Sequence, residues 1–165
     1  MIKRKFLGQH FLNSKSIAEF IVNEAQISKT DVVFEIGTGL GMLTPLLCKK
    51  AQKVISVDAD ERLIKKAKFE FSTLHNLVLE SGDGFKKKHD FTIFVSNLPY
   101  SRSKDAVEWL AQNSFSHGII MVQKEFAEKL LAQSKNRRSI SIIATHAFDI
   151  TKISDVGKNN FSPAP

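Results

Sequence analysis

The chain has 165 residues, 42% of them hydrophobic and 25% charged, which suits one domain around one core and leaves no room for two comfortable domains. The formal net charge of +7 favours a polyanionic partner, because Lys and Arg release counterions from phosphates, and the surplus gathers at residues 3–5, 86–88 and 135–138. A single cysteine, Cys48, excludes a disulfide framework within the chain, and no apolar run is long enough to cross a bilayer.

The basic N-terminus is not followed by the apolar stretch of a secretory signal, so the expected compartment is a reducing cytoplasm. The five histidines are scattered and match no metal-ligand spacing.

In chain order, residues 16–26 carry Ile17, Ile21 and Ala25 at helical spacing. The apolar run over residues 32–36, closed by Gly37, predicts a buried strand, and residues 42–50 a helix. A second strand is expected over 54–57. An amphipathic helix follows over 60–71, with Leu63, Ile64, Ala67 and Phe71 on one face. Strands are expected at 77–79, 91–95 and 119–122, and helices at 104–112 and 123–132. Residues 140–144 read as another strand, and residues 150–156 as a last one. This alternation predicts an α/β fold, a mostly parallel sheet with helices on both faces. Ligands of such sheets bind beyond the carboxyl ends of the strands, so the residues after each strand carry the functional signal.

After the first of these strands come Glu35, Gly37, Gly39 and Gly41 at alternate positions. The glycines allow a tight turn and close approach of a ligand. A dinucleotide fingerprint wants Gly or Ala at position 42, where this chain has Met42, which disfavours a nicotinamide-dependent dehydrogenase. The alternating form, with an acid two residues ahead, suits the methionine part of S-adenosylmethionine better than a pyrophosphate. After the second strand, Asp58 stands about 20 residues beyond the glycines, where a carboxylate accepts both ribose hydroxyls. The competing role for Asp58, a helix N-cap, is filled equally well by Asp60. After the third strand, Asp83 in a Gly-Asp-Gly turn can accept from the amino group of the cofactor's adenine.

After the fourth strand comes the most specific signal, Asn97-Leu98-Pro99-Tyr100. The exocyclic amine of adenine is a poor nucleophile because its lone pair is delocalised into the ring. The side-chain oxygen of Asn97 and the carbonyl of Leu98 can hold both N–H groups and localise that lone pair. Pro99 fixes the backbone so that these acceptors converge, and Tyr100 offers a stacking face.

Together these stretches resemble the ribosomal RNA adenine N6,N6-dimethyltransferases, the KsgA-type and Erm-type enzymes. The resemblance runs in family order over residues 8–12, 35–44, 57–58, 82–83, 97–100, 123–125 and 161–165. It implies a Rossmann-like class I methyltransferase fold using S-adenosyl-L-methionine, held by Gln9, His10, Leu12, Glu35, Gly37, Gly39, Asp58, Asp83 and Asn97. It also implies a target adenine clamped by Tyr100 and Phe161, with Asn97 and Leu98 gripping its amine. Residues 161–165 and the Gln9-His10 segment favour the KsgA-type branch, which dimethylates two adjacent adenines of small-subunit ribosomal RNA. The implied partner is therefore the small ribosomal subunit or its precursor, bound by a monomer. An Erm-like large-subunit enzyme and a non-catalytic assembly factor are the alternatives. DNA-adenine and protein-glutamine methyltransferases usually carry Pro where this chain has Leu98. Two positions depart from the family pattern: His10 where Asn is commoner, and Asp58 where Glu is common. Family members usually continue into a small helical RNA-holding domain, so the chain reads as the catalytic domain over 1–165 without it, with weakened RNA binding as the consequence.

Overall fold

The computed structural model describes residues 10–131 and 139–164. Gln9 and the basic clusters at 3–5 and 135–138 lie outside the described residues.

Five strands form one sheet in which every neighbouring pair is parallel: β2 (Val32–Ile36), β3 (Lys53–Asp58), β4 (Leu77–Ser81), β5 (Ile93–Asn97) and β6 (His117–Met121). Their order is β4-β3-β2-β5-β6. The chain starts in the middle at β2, runs outward through β3 to β4, then returns to lay β5 on the other side of β2. That reversal puts the switch in strand order between β2 and β5, and a crevice opens there at the strand ends.

Strand side chains alternate between two helix-covered faces. Val33, Val54, Ile93 and Val95 pack with Ala18, Ile21 and Val22 of α1 (Lys15–Glu24) and with Leu47 and Cys48 of α2 (Thr44–Lys50). Phe34, Ile36, Ile55, Val57 and Phe94 pack on the other face with Ala106 and Leu110 of α4 (Ser103–Leu110). Trp109 stacks on Phe91 there, with ring centroids 5.8 Å apart and planes 11° from parallel. The helix α3 (Glu61–Glu70) starts at Asp60, whose side chain caps the Arg62 amide, so Asp58 is left for other work. A two-stranded antiparallel ribbon, β1 (Phe11–Leu12) with β7 (Phe161–Ser162), pairs the two ends of the described chain at the edge of the crevice.

Two of the sequence expectations fail. Residues 140–144 are not a strand but the middle of helix α6 (Ser139–Ala147). Ile140, Ser141 and Ala144 are the buried positions, a helical stripe, and Ile140 and Ala144 pack with Leu130 of α5 (Lys124–Leu131) and Val107 of α4. A short apolar run rich in Ile satisfies either period, and here the packing between helices decides. Residues 150–156 form no strand; they run as irregular chain to a single 3-10 turn (Lys158–Asn160) that leads into β7.

Candidate functional site: a crevice at the strand-order switch

The crevice is an open cleft of about 460 Å³, within the range of small-molecule sites. The glycine turn after β2 forms its floor. Gly37 sits at φ +92°, and a Cβ placed there would meet the carbonyl oxygen of Asn97 at 3.4 Å. Gly39 packs under the ring of Phe11, and Gly41 at φ +79° lies against the ring of Phe71. The turn therefore needs left-handed backbone and bare Cα atoms at once.

Glu35 is buried at the root of this turn, 1% exposed. Its Oε2 accepts from Ser56 Oγ and from Thr44 Oγ1, which ties β2 to β3 and α2. Burial pushes its carboxyl up to about 7 despite those two bonds. Glu35 reaches the cleft wall, but its hydrogen bonds brace the turn.

Asp58 ends β3 at the cleft wall, 6% exposed. Its Oδ2 accepts from Gly39 N and its Oδ1 from Asp60 N, both at 2.9 Å. Burial raises its pKa, and those two amide bonds oppose the rise. The carboxylate is thus fixed in place with lone pairs left over for two hydroxyls.

Asp83 follows β4. Its Oδ1 accepts from Phe85 N at 3.1 Å, and both its oxygens lie 3.3 Å from Nη2 of Arg102. Arg102 also lines the cleft, a residue that the sequence reading did not single out. The only signal for it was a cation two positions after Tyr100.

At the end of β5, Asn97 donates from Nδ2 to the His10 carbonyl at 3.4 Å. That bond orients the amide and turns Oδ1 away as an acceptor. The His10 backbone is thus tied to Asn97. The His10 ring stacks on Tyr100, with centroids 5.2 Å apart, and its Nδ1 lies 3.0 Å from the Pro163 carbonyl oxygen. Leu98 is buried at 3%, and Tyr100 is half-buried.

The cleft thus brings together His10, Leu12, Glu35, Gly37, Gly39, Asp58, Asp83, Asn97, Leu98 and Pro99. Tyr100 stands beside it through the His10 stack. Phe161 is elsewhere: it is 5% exposed, paired with Leu12 across β1 and β7, and packed into the core under α1 and α2. Among the described residues no group of acids, histidines and cysteines could hold a metal ion. Cys48 is buried, and burial pushes its thiol up to about 12, which leaves it unreactive packing.

Comparison with known proteins agrees with this geometry. A 33% identical dimethyladenosine transferase from Plasmodium falciparum superposes with a TM-score of 0.84 over 94% of this chain and 59% of that one. The 23S rRNA methyltransferase ErmE gives the same TM-score at 24% identity, over 94% of this chain and 65% of that one, which speaks to the fold. That fold is the Rossmann-like class I S-adenosylmethionine-dependent methyltransferase fold. A protein of Pyrococcus abyssi named "Probable ribosomal RNA small subunit methyltransferase A" is 35% identical over 96% of this chain and 60% of its own length. A "Ribosomal RNA small subunit methyltransferase A" of Thermotoga petrophila is 36% identical over 98% of this chain and 64% of its own length. The chain thus spans about 60% of the curated relatives it matches. The family model described as "Ribosomal RNA adenine dimethylase" matches residues 2–165, which takes in every strand of the sheet and both halves of the crevice, and the chain belongs to that family.

Proposed function

We propose that the cleft binds S-adenosyl-L-methionine and that the protein dimethylates N6 of adjacent adenosines in small-subunit ribosomal RNA. The observation that carries this reading is the pairing of the bare glycine turn with Asn97 across the β2–β5 crevice. The residues present fit the cofactor. The turn holds Gly37 at a positive φ against the Asn97 carbonyl, the Asp58 carboxylate is held by two amides with capacity to accept ribose hydroxyls, and Asp83 offers an acceptor for an adenine amine. When bound, the cofactor supplies an electrophilic methyl group on a sulfonium.

The protein's own residues do the rest by positioning. The target base leaves its stack, at a cost of a few kcal/mol, and Tyr100 offers a face that returns about 1–3 kcal/mol. Asn97 Oδ1 and the Leu98 carbonyl hold the two N–H groups of the amine, which pulls the nitrogen toward tetrahedral geometry and frees its lone pair for in-line attack. No strong base is required, because the methylated nitrogen is cationic and sheds its proton readily. Phe161 supports this arrangement from behind Leu12. The names of the two relatives and the run of matching motifs favour the small subunit over the large one.

The test is transfer of radiolabelled methyl from S-adenosyl-L-methionine to unmethylated small and large ribosomal subunits, offered separately, with digestion of the RNA to nucleosides. Labelled dimethyladenosine is the expected product. Label only in large-subunit RNA overturns the choice of substrate, and cofactor binding without labelled adenosine in either subunit overturns the reaction.

A further inference from the structure

We propose that Arg102 is a positioning residue for base recognition, which holds Asp83 so that the cleft accepts a 6-amino purine and rejects a 6-oxo one. The inference rests on the reading that the cleft takes S-adenosyl-L-methionine.

Three anchors fix the guanidinium. Its Nε donates to Asp105 Oδ2 at 2.7 Å, a residue in the first turn of α4. Its Nη2 reaches both oxygens of Asp83 at 3.3 Å. Its central carbon lies 4.8 Å from the centre of the Phe85 ring, a cation–π distance. A planar fork held at three points loses little freedom when it binds, unlike a lysine ammonium on a flexible stem.

The consequence for Asp83 follows from counting lone pairs. An ionised carboxylate offers about four acceptor sites. The Phe85 amide takes one on Oδ1, and Nη2 of Arg102 is shared between the two oxygens. What remains is centred on Oδ2, enough for one incoming N–H. A 6-amino group supplies that N–H. A 6-oxo group would face the same charge with lone pairs of its own, and Arg102 keeps the carboxylate from turning aside to relieve the clash.

Arg102 also joins the two halves of the crevice. Asp83 follows β4, whereas Arg102 lies two residues past Tyr100 in the turn that follows β5. Both line the cleft. The hold on the purine is thereby built into the same turn that presents Asn97.

The experiment is calorimetric binding of S-adenosyl-L-homocysteine and of its 6-oxo counterpart, S-inosyl-L-homocysteine, to the whole chain. The variants are Arg102→Met, Arg102→Lys and Asp105→Asn, each checked for an unchanged melting transition. The unsubstituted protein is expected to prefer the adenosyl ligand by roughly 10- to 100-fold, the worth of one charge-assisted hydrogen bond. Arg102→Met should shrink that ratio by about tenfold, Arg102→Lys should restore part of it, and Asp105→Asn should shrink it less. An Arg102→Met protein that folds normally and keeps the full preference overturns the proposal while leaving the cofactor reading intact. An unsubstituted protein that binds neither ligand overturns both.

Discussion

Ser56 donates from Oγ to Oε2 of Glu35 at 2.6 Å, and Thr44 donates to the same oxygen at 2.7 Å. Because the Ser56 proton is committed to Glu35, Thr38 must be the donor in its 2.6 Å contact with Ser56. A chain of hydroxyls therefore runs from the glycine turn down to a carboxyl group that is fully enclosed. Each member polarises the next, and none of them reaches water freely. The acid two residues before Gly37 is in this way a keystone under the glycine turn.

The first prediction follows from the titration of Glu35. Its pKa is 4.5 when unperturbed and about 7 in the folded protein. The stability it contributes is fully present below about pH 4.5 and is lost as pH rises through about 7, because the folded state then holds a buried charge that the unfolded state carries without cost. Glu35→Gln keeps the acceptor oxygen and removes the titration. The melting temperature of the variant relative to the unsubstituted protein should therefore climb between about pH 5 and about pH 8, by an amount equivalent to about 3 kcal/mol. A difference that stays flat with pH would show that Glu35 titrates normally.

Gly41 yields a second prediction. Its φ is +79°, and a Cβ there would lie 2.4 Å from Cζ of Phe71. Gly41→Ala should cost about 1–3 kcal/mol from backbone strain, with the ring contact added. Phe71→Leu in the same chain removes the contact and leaves the strain, so it should recover only part of the loss. A chemical-denaturation cycle over the four proteins reads both terms. Full recovery in the double variant would assign the whole cost to the ring.

These residues also mark how far the sequence could be read. The central sheet was legible because strands buried on both faces write near-continuous apolar runs, as in 32–36 and 54–57, each closed by glycines or an acid at the cleft wall. Helix α6 was not, since five residues of Ile, Ser and Ala fit two periods and its partners Leu130 and Val107 lie on other helices. Asp58 and Asn97 announced themselves by position after a strand. Arg102 did not, because its meaning depends on Asp83, Phe85 and Asp105 meeting it in space. The resemblance named His10, but not the stack of its ring on a tyrosine 90 positions away, which only the fold brings about.

Asn97 carries the third prediction. Its side-chain amide donates to the His10 carbonyl, its backbone carbonyl faces Gly37, and the residue lines the cleft. Asn97→Ala should lower kcat by about 10²-fold or more, the usual loss on removing one preorganised polar group, with a much smaller change in affinity for S-adenosyl-L-homocysteine. Single-turnover methyl transfer alongside calorimetry separates the two. Equal losses in binding and in transfer would make Asn97 a cofactor ligand only.

Phe161 is where burial and the family resemblance pull apart, and magnitudes decide between them. The resemblance gives its ring a stacking role on the target base, yet the ring is 5% exposed and sits in the core beside Leu12. Swinging it out would forfeit about 1.5–3 kcal/mol of burial, while stacking on a base returns about 1–3 kcal/mol. The exchange gains nothing, so the ring should stay where it is and act through packing. Phe161→Ala should destabilise the fold by about 3–5 kcal/mol, which makes it useless as an activity test. Phe161→Leu keeps most of the volume and should cost under about 1.5 kcal/mol. At matched folded fraction, its KM for RNA should stay within a few-fold of the unsubstituted value, whereas Tyr100→Leu should raise KM by about tenfold, the loss of one stacked base. A rise in KM for Phe161→Leu equal to that for Tyr100→Leu would mean that the ring leaves the core when RNA binds.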